Sequence, residues 1–493
     1  MITNDSHILR FRHEIYEEIC RLAFQDNLND DSIDELILRM IPGPKPDFRC
    51  CIYKEREIMR QRIRLVLNKD TNDKPADGNI VQVIDAACDE CPISSYSVTD
   101  NCRFCLGRPC KDACKFGAIS EGEVRMHIDS NKCKECGLCA KSCPFQAIVH
   151  LERPCKRSCP VDAISYDDFG YCRIDKSKCI TCGHCIHSCP FGAISSKTHL
   201  VQVINALKSG KEVYAMCAPA TEGQYGDNKN LDSIREVLKK IGFKDMIEVG
   251  LGGDLTAAFE ALEWSEALKE NKKLTTSCCP AFVNMIKKQF PKIYEENVSN
   301  TVSPMCAVSR LLKILHKDCI TVFIGPCIAK KSESVEMNID GNADYVLTYG
   351  EFSALLRAKD IKIEEMTNYT QNASIYGKRF ANAGGVTNAV LECMKERGED
   401  ISNIKYVSCA GGAECKKALL LMNAGKLTEN FVEGMVCDGG CVGGPSRHLS
   451  EVEVYKAREK LLSNADNRGV LENLSNYPID KFSMDKTAKF NEK

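Results

Sequence analysis

Cys133-Lys-Glu-Cys136-Gly-Leu-Cys139-Ala-Lys-Ser-Cys143-Pro144 and Cys179-Ile-Thr-Cys182-Gly-His-Cys185-Ile-His-Ser-Cys189-Pro190 set eight thiols on one spacing, used twice. The second half of each run belongs to a wider repeat. Cys110 to Ile119, Cys139 to Ile148, Cys155 to Ile164 and Cys185 to Ile194 all read C-x3-C-[PK]-x2-A-I, which makes four related half-units. These lie within residues 81–200, which hold 17 of the 31 cysteines in the 493-residue chain. A reducing cytoplasm disfavours disulfides in such numbers, so the thiols are read as metal ligands. The N-terminus lacks the apolar core of a signal peptide and no apolar run approaches the roughly 20 residues that span a bilayer, so a cytoplasmic protein with no membrane partner is expected. Lys+Arg number 66 against 68 Asp+Glu, a balance that offers nothing to nucleic acid.

The two opening runs match the bacterial ferredoxin spacing, in which three thiolates cap one face of a 4Fe-4S cluster and the fourth ligates the other cluster. Structural zinc wants separated C-x2-C pairs instead. The expected sets are Cys133, Cys136, Cys139 with Cys189, and Cys179, Cys182, Cys185 with Cys143. Extending the same crossing, a third cluster takes Cys102, Cys105, Cys110 and Cys159, and a fourth takes Cys88, Cys91, Cys155 and Cys114. The rival for these last eight is one further cluster plus zinc or free thiols. Cys172 is left unassigned, and Cys20, Cys50 and Cys51 are read as packing residues.

Around this region the chain divides into a helical N-terminal segment (1–80), an α+β ferredoxin-like multi-cluster domain (81–200), an α/β region (201–450) and a C-terminal helix with a loose tail (451–493). The α/β reading rests on apolar runs at 212–216, 246–249, 320–324 and 345–347, each followed by a helical pattern, which predicts parallel strands. Cysteines past residue 201 fall where strands give way to helices, the place where α/β folds put ligands.

Three such segments are Thr276-Ser-Cys-Cys-Pro280, Gly325-Pro-Cys-Ile-Ala-Lys-Lys-Ser-Glu333 and Glu433-Gly-Met-Val-Cys-Asp-Gly-Gly-Cys441-Val-Gly-Gly444. They resemble, in order, the TSCCPxW, MPCxxKxxE and ExMxCxxxCxxGG motifs of the iron-only (FeFe) hydrogenase family. The resemblance implies two parallel-sheet lobes around an H-cluster, a 4Fe-4S cubane joined to a di-iron unit with CO, cyanide and a bridging dithiolate. It implies Cys279, Cys327, Cys437 and Cys441 as cubane ligands, with Cys441 bridging. Lys330, Glu333 and Met435 belong to the same motifs, with Lys330 and Met435 beside the di-iron unit, and Ala218-Pro219-Ala220 matches the family's loop against a cyanide. Cys278 is implied as the proton donor nearest the iron, followed by Glu260, Ser299 and Glu263 on the way to solvent, with Asp254 as the N-cap of the relay helix. Dihydrogen and protons are the implied substrates, ferredoxin or a similar soluble carrier the electron partner, and maturation proteins the source of the di-iron unit.

The sequence departs from the family at several points. Phe282 stands for Trp, Ala281 for Gly, Gly325 for Met and Met305 for Gln; Pro445-Ser446 replaces a third glycine, and Ala267 occupies the place of the basic residue that often ends the proton path. A hydrogen sensor, an iron–sulfur assembly protein and a polyferredoxin carrier remain the rival readings.

Overall fold

Two parallel sheets organise the α/β region. The first has the strand order Asp245–Glu248, Val213–Cys217, Ile320–Gly325, Tyr345–Thr348, and the second Leu274–Thr275, Phe431–Met435, Tyr406–Ala410. The strands Val213–Cys217 and Phe431–Met435 are buried at every residue, and the first reads as a continuous apolar run rather than an alternating one. The computed structural model describes residues 7–72, 78–88, 91 and 96–491, so residues 1–6 of the N-terminus and 73–77 of the first segment lie outside it.

The N-terminal helices form at His7–Phe24, Asp30–Met40 and Ile52–Val66. The second opens on a reciprocal cap between Asn29 and Ser32. Their apolar stripes do not make a separate core. Ile15, Ile19, Leu36, Met59 and Ile63 share one buried cluster with Val213, Ala215, Val322 and Phe352 of the first sheet and its helices. Cys20 is buried in that cluster, whereas Cys50 is exposed and packs nothing.

The tail expected after Leu462 is not loose. The short helix Val470–Leu474 and the segment after it bury Val470, Leu474, Phe482 and Met484 against Leu255, Ala258 and Trp264 of the helix Gly250–Lys269. Each such side chain contributes roughly 1.5–3 kcal/mol when fully buried. Their irregular spacing gives no period, so the sequence carried no sign of it.

The cluster-binding region is two nested modules, not one. Residues 96–150 pair strands 96–98 with 148–150 and 119–121 with 126–128 around a core of Val98, Ile119, Met126, Ile128 and Ile148. Residues 81–88 and 154–196 pair 81–83 with 194–196 and 164–166 with 172–174 around Val81, Ile84, Ile164 and Ile194. The first module is inserted in the second, between Cys91 and Pro154. The second sits on the α/β region, where Lys288 Nζ donates to the carbonyls of Lys176 (2.8 Å) and Cys179 (2.6 Å).

Candidate iron–sulfur and catalytic site

The fourfold repeat has a physical cause. In every half-unit the third residue after the second cysteine (Gly117, Gln146, Asp162, Gly192) adopts positive φ, between 49° and 62°. In three of them the turn aims the next amide back, so Ala118, Ala147 and Ala163 donate N–H to Cys114, Cys143 and Cys159 Sγ at 3.3–3.4 Å. A thiolate that accepts such a bond is held in place and stabilised as an anion.

Nesting changes the pairing. Cys143, not Cys159, lies beside Cys102, Cys105 and Cys110 in one pocket. Cys114, not Cys189, acts electrostatically on Cys139 together with Cys133. Cys159, not Cys143, joins Cys179, Cys182 and Cys185. Cys189, not Cys114, joins Cys88, Cys91 and Cys155. The crossing rule holds, but inside each module, between half-units whose short helices touch: 109–112 with 138–142, and 154–157 with 184–188. The unassigned Cys172 is buried beside the last set and donates its N–H to Cys88 Sγ at 3.3 Å.

Between the two parallel sheets lies a cavity of about 80 Å³. The cubane candidates Cys279, Cys327, Cys437 and Cys441 line it, with Cys278, Lys330, Met435, Ala218 and Pro219. Ala220 is not on its wall; it packs with Ala381 and Val442 behind. Val249, Met305, Phe323 and Phe380 make the rest of the wall apolar. Phe380 had no local motif to reveal it. Cys182 also reaches the cavity, so one module set adjoins it directly. Burial, then neighbouring thiols, push Cys327 and Cys441 up to about 12. Four thiols in a dry space become thiolates only when a cation draws their protons off, and the donor set fits an iron–sulfur cubane.

Backbone sets these positions. The first sulfur pair leaves the strand Leu274–Thr275 just before the helix Pro280–Gln289, Cys327 sits between the strand Ile320–Gly325 and the helix Ala329–Glu336, and Cys437 and Cys441 follow the strand Phe431–Met435. Phe282, in place of Trp, is fully buried with its ring against Gly434; a Cβ there would lie 2.4 Å from the ring, so glycine is required. Gly252 is similarly fixed by the close approach of the relay helix to Pro304.

Lys330 Nζ donates to Glu333 Oε2 (2.5 Å), Ser303 Oγ (2.8 Å) and the Cys278 carbonyl (3.4 Å). Burial works against its charge, yet Glu333 together with Cys327 and Cys278 holds Lys330 above the ordinary lysine range. Ser303 donates its hydroxyl to the other oxygen of Glu333. Cys278 is buried, and burial followed by Glu260 pushes its thiol well up. Glu260 accepts the Ser277 N–H at 3.2 Å, and the nearby Ser299 side chain favours the charged form of both Glu260 and Glu263. Oε2 of each carboxylate is buried without a hydrogen-bond partner among the described residues. Burial, then Glu263, raises Glu260 to about 8. Asp254 does not cap the relay helix, which begins at Gly250; its carboxylate instead accepts the Ser374 N–H (2.7 Å) and Asn473 Nδ2 (2.8 Å).

Residues 211–445 match the family model described as the iron-only hydrogenase large subunit, C-terminal domain. Over these residues the chain is similar to the FeFe hydrogenase family. Residues 126–149 match a 4Fe-4S binding domain and 149–200 the LdpA Fe-S cluster-binding domain, so this FeFe hydrogenase relative is an iron–sulfur protein beyond its cavity too. It is 27% identical over 335 residues to iron hydrogenase 1 of Clostridium pasteurianum, covering 55% of this chain and 58% of that one. At 19% identity it also aligns with a probable cytosolic Fe-S cluster assembly factor of Brugia malayi, over 43% of this chain and 56% of that one. The chain thus spans little more than half the length of these curated relatives. A solved FeFe-hydrogenase variant from Chlamydomonas reinhardtii superposes with a TM-score of 0.45 at 20% identity, over 59% of this chain and 96% of that one. Among the described residues no helix is long and apolar enough to cross a membrane.

Proposed function

We propose that the protein is a hydrogenase that interconverts dihydrogen with protons and electrons. The carrying observation is Cys278. It lines the four-thiol cavity and lies within electrostatic reach of Glu260, so it would connect a metal-binding wall to a chain of proton-bearing groups. An H-cluster held by Cys279, Cys327, Cys437 and Cys441 would supply the iron at which dihydrogen is split or formed.

The chain's own residues do the rest. Apolar walls exclude water, so charges inside the cavity act at low dielectric. The Lys330 ammonium, fixed by Glu333 and Ser303, presents a cation to anionic ligands of the cluster. Cys278 exchanges a proton with the cavity, and Glu260, at about 8, is poised near neutrality to take it or return it. The Ser299 hydroxyl, which acts on both Glu260 and Glu263, would carry the proton between them. Electrons pass between the cavity and a soluble carrier such as ferredoxin through four 4Fe-4S clusters in the two modules, the Cys182 set nearest the cavity. Maturation proteins install the di-iron unit.

Infrared spectroscopy under strict anaerobiosis, on full-length protein made with the maturation machinery, tests this reading. Sharp CO and cyanide bands that shift under dihydrogen are the expected result. With those bands intact, Cys278→Ala should lose turnover by about 10²-fold or more. Cubane iron without such bands would overturn the hydrogenase reading and leave an electron-transfer or assembly protein.

A further inference from the structure

Glu263 is the outer carboxylate of the proposed path, and three segments surround it. Its own helix supplies Glu260 less than a turn away. Residues 299–301 supply the Ser299 and Thr301 hydroxyls and the Asn300 N–H, which donates to Glu263 Oε1 at 3.0 Å. The third is the C-terminal segment. Its Lys486 ammonium donates to the Ser299 carbonyl at 2.5 Å and acts electrostatically on both Glu263 and Glu260. Asp485 and the Tyr294 ring, whose centroid lies 6.0 Å from Nζ, complete the surroundings of that lysine.

The backbone holds this arrangement in register. Val302 N–H donates to Met484 O at 2.8 Å, Lys486 N–H donates to Asn300 O at 2.9 Å, and Thr301 bridges Asp485 between them. Behind them the fully buried Arg310 gathers the segment: its guanidinium donates to the carbonyls of Ser483 (2.5 Å), Asp485 (2.9 Å) and Asp340 (2.9 Å). Phe490 closes the loop, its N–H on Asp340 Oδ2 (3.1 Å) and its carbonyl accepting Ser483 N–H (3.0 Å). The lysine therefore arrives at the Ser299 carbonyl, beside the outer carboxylate, on a pinned segment rather than a free end.

We propose that Lys486 is a positioning residue of the proton path, holding Glu263 in the ionised form that can accept the next proton. The proposal takes its functional meaning from the hydrogenase reading. A buried carboxylic acid that stays protonated cannot relay: after it releases a proton to water, the carboxylate left behind must be stable enough to wait for the proton arriving through Ser299. Burial drives Glu263 toward the protonated form, and Lys486 is among the groups that oppose it. The exchange is reciprocal, because the carboxylates oppose the burial that disfavours the ammonium.

The test is an infrared titration of the full chain labelled with carboxyl-¹³C glutamate and made without the di-iron unit, the Glu263 band being assigned by its loss in Glu263→Gln. Lys486→Met and Lys486→Gln, two neutral residues of similar length, should move that midpoint upward by about one pH unit or more. Lys486→Arg should leave it near the parent value. An unmoved midpoint in both neutral variants, with visible cluster absorption intact, overturns the proposal. Dihydrogen turnover of the matured parent separates the two claims: a moved midpoint with no turnover in any variant keeps the coupling and removes the hydrogenase reading, whereas turnover with an unmoved midpoint does the reverse.

Discussion

Glu260 is a carboxyl group fully removed from water, and its chemistry follows from that. Its folded value of about 8 exceeds the ordinary 4.5 because burial, and then Glu263, disfavour the anion. Below about 4.5 folded and unfolded chains both hold the proton, and the contribution to stability is fully present. From there to about 8 the unfolded chain gains by releasing its proton while the folded one keeps it, so stability falls as pH rises through this window. Glu260→Gln removes that slope. The melting temperature of the variant relative to the parent should therefore climb from pH 5 to pH 8, by anaerobic calorimetry of protein lacking the di-iron unit; a pH-independent difference would contradict a raised Glu260. At this scale the motif residues Cys278, Lys330 and Met435 were legible because each stands at a fixed offset from a cysteine. Phe380 and Ser303 were not, since their part is defined by what they touch.

The half-unit is the element on which the cluster region is built. Its αL turn three residues past the second cysteine recurs four times, tolerated at Gly117 and Gly192 without steric cost and imposed on Gln146 and Asp162. Two half-units with touching helices make a module, so each thiol at the foot of a helix serves its module partner. Cys143→Ser should accordingly disturb the paramagnetic signal of the cluster held by Cys102, Cys105 and Cys110, leaving the signals of the second module unchanged in reduced protein. A change confined to the Cys179–Cys182–Cys185 cluster would instead restore the pairing expected from sequence. The four repeats showed which cysteines belong together as a class. They carried no information on partnership, because near-identical half-units are interchangeable until the chain is threaded in space.

For the molecule as a whole, the arrangement proposes a direction for electrons. The inserted module has its own closed core, the second packs on the α/β region, and its Cys182 reaches the cavity. Four module sets and one cavity set predict about 20 irons in cubanes, ~4 each, before any di-iron unit is added. Anaerobic metal analysis of reconstituted protein should find that number, and a plateau near 12 would mean that two of the five sets are empty. The same scale explains the ends of the chain. The N-terminal helices share the core of the first sheet, and the C-terminal segment braces the strand of residues that carries Ser299.

Ligand spacing, the order of three motifs and the alternation of apolar runs with helical patterns are local properties, so the sequence by itself determined the resemblance to FeFe hydrogenases, the thiol inventory and the parallel α/β architecture. Only the tertiary structure decided which half-units cross, that Ala220 stands behind the cavity, that Asp254 binds Ser374 and Asn473 rather than capping its helix, and that Lys486 comes to the Ser299 carbonyl beside the two glutamates. Each of these depends on segments far apart in the chain, and contact between distant segments is set by the packing of whole cores, which no local period or spacing records.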